Sequence, residues 1–120
     1  MNVRTEMVVN SLKQGKQATY SESGNSMRPR IEHRQPFLLE PVTRADQIVK
    51  GDAVLCRVRG GYITHQIKAI RQEAGELRYL IANIKGRENG WVGLRSIFGK
   101  VVAVGEVAIE RYKKKLEVPS

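Results

Sequence analysis

The stretch "KGDAVLCRVRGGYITHQIKAI", residues 50–70, decides the fold. Lys50-Gly51-Asp52 reads as a turn, and the segment after it is apolar and leads into a strand. Gly60-Gly61 then separates this strand from a second alternating segment, a strong hairpin signal. With the two glycines as the loop, Arg59 pairs with Tyr62, Val58 with Ile63, Cys56 with His65 and Val54 with Ile67. Side chains alternate along a strand, so Val54, Cys56, Val58, Ile63, His65 and Ile67 share one face. The opposite face carries Arg57, Arg59, Tyr62, Thr64, Gln66 and Lys68 and is predicted to be the wet one. His65 therefore points the same way as the apolar set.

The flanking segments extend the β pattern. Phe37–Leu39 reads as a buried strand that Pro41 breaks or places at an edge. A hairpin or loop is expected around Glu73–Glu76, followed by a strand at Leu77–Ala82. "GRENGWVG" is rich in turn residues, with Asn89-Gly90 the clearest. "SIFGKVVAVGEV" supplies a last strand pair or one long bent strand. On the N-terminal side, Val3, Met7, Val8 and Leu12 have helical spacing, and Gly15 is placed to end that helix. A short strand fits Gln17–Ser21. The expected fold is mainly β, a curled sheet or partial barrel with a short N-terminal helix. One domain spans 1–120: a helix over 1–16, a β core over 17–108 and a basic tail over 109–120.

Composition narrows the function classes. The chain has 120 residues, 41% of them apolar, enough for one modest core. No stretch approaches the roughly 18 apolar residues of a membrane span. Met1–Gly15 has no continuous apolar run, so no signal peptide is expected and the assigned compartment is the cytoplasm. The single cysteine, Cys56, excludes an internal disulfide and a cysteine-rich metal site. The residues call for no cofactor and no metal. The formal charge of +9, from 21 Lys+Arg against 12 Asp+Glu, favours anionic partners. The one basic cluster, "RYKKK" at 111–115, reads as a solvated tail, with a weak nucleic-acid contact as the alternative. Aromatics are only 6%, few for a base-stacking platform.

His65 has two readings on register alone: a core histidine bonded to a carbonyl, or a general base. Cys56, placed opposite it, is read as packing rather than half of a Cys–His dyad. His33, in the polar run "RIEHRQP", is read as solvated or as a turn residue. Gly51-Asp52 is read as structural, and Trp91 as a cover for the core. The remaining irregular stretch is "SESGNSMRPRI", residues 21–31. Its serine sits between turn residues and a proline that stops a helix. It is either an ordinary loop serine or a nucleophile held at a rigid corner.

Taken together, "GNSMRP" and "KGDAVLCRV…GGYITHQIKAI" resemble the LexA/signal-peptidase-like serine peptidase superfamily. The family pattern Gly-x-Ser-Met-x-Pro falls on Gly24, Ser26, Met27 and Pro29. Its Gly-Asp that opens a strand falls on Gly51 and Asp52, and its general base on His65. Ile97, Gly99 and Val101 look like its closing strand. The resemblance covers roughly residues 18–104 and is nearest to compact phage- and prophage-type members, which share an element like Asn89-Gly90-Trp91. Bacterial signal peptidases and LexA-type repressors use a lysine base, whereas archaeal and endoplasmic-reticulum-type signal peptidases use histidine, as here. The latter also carry an aspartate that "ANIKGRENG" lacks, which leaves Asn83 or Glu88 to orient the imidazole.

The resemblance implies a soluble serine endopeptidase with a Ser26/His65 dyad that cleaves an extended, strand-bound polypeptide. Gly24, Met27 and Pro29 support the serine loop, Met27 packs beneath it, and the Ser26 backbone N–H is the oxyanion donor. No Ala-Gly or Cys-Gly pair precedes Ser26 and no helix-turn-helix is expected, so neither self-cleavage nor a LexA-type repressor role follows. The polypeptide substrate is expected to be soluble and not presented at a membrane. The alternatives are an inactive relative serving as a regulatory interaction module and a basic nucleic-acid-binding β-barrel. Exposed β edges admit a homodimer.

Overall fold

The central hairpin turns one residue earlier than the glycine pair suggests. The computed structural model describes residues 3–117, and in it β3 (Ala53–Val58) meets β4 (Gly61–Glu73) through Arg59-Gly60. Both turn residues have positive φ, 51° and 82°, the combination that matches the twist of paired strands. Val54 consequently faces His65, and Cys56 faces Ile63. Moving the turn by one residue shifts each pairing by two, so every side chain keeps its expected face.

The remaining elements are α1 (Val3–Lys13), β1 (Ala18–Tyr20), β2 (Phe37–Pro41), β5 (Glu76–Ala82), β6 (Glu88–Gly93), β7 (Ile97–Val104) and α2 (Glu106–Glu117). The protein is mainly β. Seven strands form one open antiparallel sheet in the order β1-β2-β7-β3-β4-β5-β6. α1 ends where expected: Gly15 takes φ 81° and its N–H donates to the Leu12 carbonyl. The β4–β5 turn falls at Ala74-Gly75, again with both φ positive.

Three expectations need correction. First, the expected wet face of β3–β4 is covered at its Ala53–Leu55 end, while Arg57, Arg59 and Lys68 stay exposed. Ala53, Leu55 and Thr64 are buried there, because α1, the serine loop and β2 pack on it through Val9, Leu12, Met27, Ile31 and Phe37. The other face is covered too, where Val54, Cys56, Ile67, Tyr79, Ile81, Val92 and Ile97 form a second cluster. The sheet curls enough for β6 to reach β3 across that face. A strand covered on both sides reads as a continuous apolar run, which is what Ala53–Cys56 is.

Second, Asn89-Gly90 lies within strand β6 rather than in a turn. Third, residues 106–117 form a helix where a basic tail was expected from 109. Ile109 buries against Leu38 and Ala103, and Tyr112 packs at the margin. These apolar contacts seat the helix on the sheet, while Arg111, Lys113, Lys114 and Lys115 stay exposed. No helix among the described residues is long and apolar enough to cross a membrane.

α1 lies close over β7. A Cβ on Gly99 would come 2.9 Å from Leu12 Cδ1 and 3.1 Å from the Glu40 carbonyl oxygen. Glycine at 99 therefore lets the helix seat on the sheet.

Candidate active site

The serine loop spans residues 21–36 between β1 and β2, and local bonds hold its shape. Gly24 has φ 111°, a conformation that residues with a side chain rarely adopt. Its N–H donates to His33 Nδ1 at 2.8 Å. The Arg34 N–H donates to the Glu22 carbonyl at 2.9 Å, and the Ile31 N–H to the Met27 carbonyl at 2.9 Å. Met27 and Ile31 are buried and anchor the loop on the core, while Ser26 stays exposed. Pro29 is exposed and follows a cis peptide bond.

Two longer contacts dock the loop on the sheet. The Ile84 N–H donates to the Ser26 carbonyl at 3.0 Å, and Arg30 Nη1 donates to the Gly51 carbonyl at 2.6 Å. Gly51-Asp52 is thus a structural corner. Asp52 Oδ2 also accepts from the Val49 N–H at 2.9 Å. His33 is exposed and in a turn, as expected, and its ring also accepts a bond that ties down the residue two before Ser26.

Against this fixed loop, β4 presents His65. Its Nε2 lies 3.0 Å from Ser26 Oγ, across 39 residues of chain. Its Nδ1 lies 2.6 Å from Asn89 Oδ1. The amide oxygen accepts, so Nδ1 carries the proton and Nε2 offers a lone pair to the serine hydroxyl. That is the tautomer a general base needs. Serine, histidine and asparagine form a continuous hydrogen-bonded line, the nucleophile–base–orienter geometry of acyl-transfer sites.

Asn89 reaches the imidazole because of an irregularity in β6. Ala82 pairs with Glu88 and Ile81 with Gly90, so Asn89 is an extra residue with no partner of its own. A bulge of this kind turns a side chain out of the regular alternation. Neither of the two expected orienting residues is placed to do this. Asn83 Oδ1 accepts the Lys85 and Arg87 N–H groups at 3.1 and 2.9 Å and shapes the β5–β6 turn. Glu88 pairs with Lys68 Nζ at 2.7 Å on the exposed surface. Asn89 was read in the sequence as a turn signal and as part of the Asn89-Gly90-Trp91 element; the signal for the bulge was Gly90, which takes φ 142° inside β6.

The chain matches no protein-family model, no curated protein and no solved structure.

The electrostatics separate the site from its neighbours. Burial, aided by the Glu22 carboxylate, pushes the Cys56 thiol up to about 12. Cys56 is fully buried and faces Ile63, so it is an inert packing residue and takes no part in a Cys–His pair. Glu22, in the serine loop, has its carboxyl raised by burial, against the opposing pull of the Thr64 hydroxyl and of His65. The Thr64 hydroxyl lies near enough to temper that rise without meeting hydrogen-bond geometry. Among the described residues, no group of three His, Cys, Asp or Glu could hold a metal. Trp91 covers the sheet margin with Arg71 stacked 4.1 Å over its ring.

Proposed function

We propose that this chain is a soluble, cytoplasmic serine endopeptidase of the LexA/signal-peptidase-like kind. Ser26 is the nucleophile, His65 the general base and acid, and Asn89 the orienting residue. The observation that carries the reading is the 3.0 Å approach of Ser26 Oγ to an imidazole nitrogen whose other nitrogen is held by Asn89. Cleavage proceeds by acyl transfer. His65 Nε2 takes the Ser26 proton as Oγ bonds to the peptide carbonyl carbon. The same proton then passes to the leaving amine as the C–N bond breaks. Water, deprotonated by His65, attacks the acyl-enzyme and restores the serine. Such acid–base help contributes roughly 10²–10⁴-fold.

The resemblance assigns the Ser26 backbone N–H to the developing oxyanion. The open strand edges at β1 and β6 support a polypeptide substrate that binds as an added strand. Asn89 brings no charge to the imidazolium, so orientation and tautomer are its contribution.

A fluorophosphonate probe tests this directly. Labelling of the wild-type chain that disappears in both Ser26→Ala and His65→Ala supports the peptidase. A correctly folded wild type that takes no label and cuts no peptide removes it, leaving an interaction module. Salt-sensitive oligonucleotide binding that survives Ser26→Ala points instead to the nucleic-acid reading.

A further inference from the structure

A cleft of about 400 Å³ opens where the start of the serine loop meets α1 and the end of β1. Arg4 and Arg34 line it, together with Ser21, Ser23 and Glu22. Arg4 Nη2 donates to Ser21 Oγ at 3.5 Å, which brings the guanidinium of α1 to the loop. Arg34 arrives from the far end of the loop, because its N–H donates to the Glu22 carbonyl at 2.9 Å. Its φ is 58°, and among the described residues it is the one non-glycine with positive φ outside a β-hairpin turn. Such a conformation is uncommon for a long side chain, and held strain of this kind clusters at functional sites. Arg34 is exposed and forms no ion pair among the described residues.

We propose that this cleft binds an acidic side chain of the polypeptide substrate, an aspartate or glutamate within about five residues of the scissile bond. The inference rests on Ser26 being the nucleophile. Continuity sets the range. Glu22 and Ser23 line both this cleft and the small cavity beside Ser26, so the two open along one stretch of the loop. Ser21 and Ser23 stand five and three residues before Ser26. Loop and extended substrate alike cover at most about 3.6 Å per residue, so a chain bonded to Ser26 passes the cleft within about five residues.

Charge and donor geometry then select a carboxylate. Two guanidinium groups stand against one carboxylate in the lining, that of Glu22, whose Oε1 is shut off from solvent. The cleft is therefore net positive. A guanidinium fork bonds a carboxylate through paired N–H groups, and serine hydroxyls can donate to the oxygen lone pairs left over. A substrate lysine or arginine is repelled there. Glutamine keeps the shape of glutamate but brings no charge.

The test is cleavage of a proteome-derived peptide pool by wild-type protein, with the new termini read by mass spectrometry. Aspartate and glutamate are expected to be enriched at one position within about five residues of the cut. A matched peptide pair that differs only by Glu or Gln at that position follows. The Glu peptide should have kcat/KM roughly tenfold above its partner at low salt, and the ratio should shrink as salt is raised. Arg34→Asn suits the left-handed backbone and should bring the Glu/Gln ratio close to one, while Arg34→Lys should keep part of it. Three results overturn the acidic subsite and leave the peptidase reading intact: no acidic enrichment near the cut, equal rates for the two peptides, or a ratio that survives Arg34→Asn combined with Arg4→Gln. If Ser26 takes no label and no peptide is cut, both fall together.

Discussion

Asn89 Oδ1 stands 2.6 Å from His65 Nδ1 because β6 carries one residue more than its partner strand at that point. The bulge turns what would be an ordinary strand position into the third member of a hydrogen-bonded line that ends on the Ser26 hydroxyl. A neutral amide fixes the imidazole tautomer without adding charge. Replacing it should therefore disturb the chemistry much more than the fold.

For Asn89, removal of the amide is expected to lower kcat while KM and the unfolding midpoint barely move. Asn89→Ala should lose roughly tenfold or more, since a histidine in the wrong tautomer cannot accept the serine proton. Asn89→Asp keeps an acceptor on Nδ1 and should retain most of the activity. Steady-state kinetics on one peptide substrate, with a urea titration of each variant, check this. An alanine variant with full kcat would remove Asn89 from the mechanism.

His33 offers a separate test of the loop. Its Nδ1 accepts the Gly24 N–H at 2.8 Å, two residues before Ser26. His33→Ala should cost about 0.5–1.5 kcal/mol, at the low end because water can replace an exposed acceptor. The fluorophosphonate labelling rate should fall several-fold as the corner loosens. Unchanged labelling would mean that the loop holds its shape without this bond.

Gly99 is a packing prediction. A methyl group there would meet Leu12 Cδ1 at 2.9 Å and the Glu40 carbonyl oxygen at 3.1 Å. Gly99→Ala is expected to destabilise by about 1–3 kcal/mol. Leu12→Ala alone should cost about 2–5 kcal/mol, and the double variant less than the sum, since the smaller side chain relieves the clash. Strictly additive losses in chemical denaturation would show that the helix does not press on this glycine.

Glu22 predicts a pH dependence. Burial raises its carboxyl above the ordinary 4.5, opposed by the Thr64 hydroxyl and His65. The folded chain thus holds this proton more tightly than the unfolded chain does. Its contribution to stability is whole below the unfolded value, and is lost as pH rises through the folded one. Glu22→Gln lacks this titration. Its stability relative to wild type should climb from about pH 4 upward and then level off. Urea midpoints across that range decide the matter, and parallel curves for the two proteins would contradict it.

Local pattern and chemistry carried much of this molecule. Apolar alternation and two turn signals determine the β3–β4 hairpin and the face on which His65 stands. Helical spacing and Gly15 determine α1. The turn residues around Ser26, with the resemblance, pointed to His65 as its neighbour, and the two do lie within hydrogen-bond reach. Even the one-residue error in the turn did no harm, because a two-residue shift in pairing preserves side-chain direction.

What pattern could not supply depends on elements distant in the chain. The choice of Asn89 over Asn83 and Glu88 is made by a bulge in the β5–β6 pairing, whose one mark in residue type is the neighbouring Gly90 at φ 142°. Coverage of both faces of β3 depends on α1 and the serine loop folding back over the sheet. Helix α2 owes its place to Ile109, buried on Leu38 and Ala103 with Ala108 and Tyr112 beside it, within a segment that charge alone describes as solvated. Sequence determines what each strand offers on either side. Only the closing of the chain on itself decides what meets it there, because a burial or a hydrogen bond needs its second partner present.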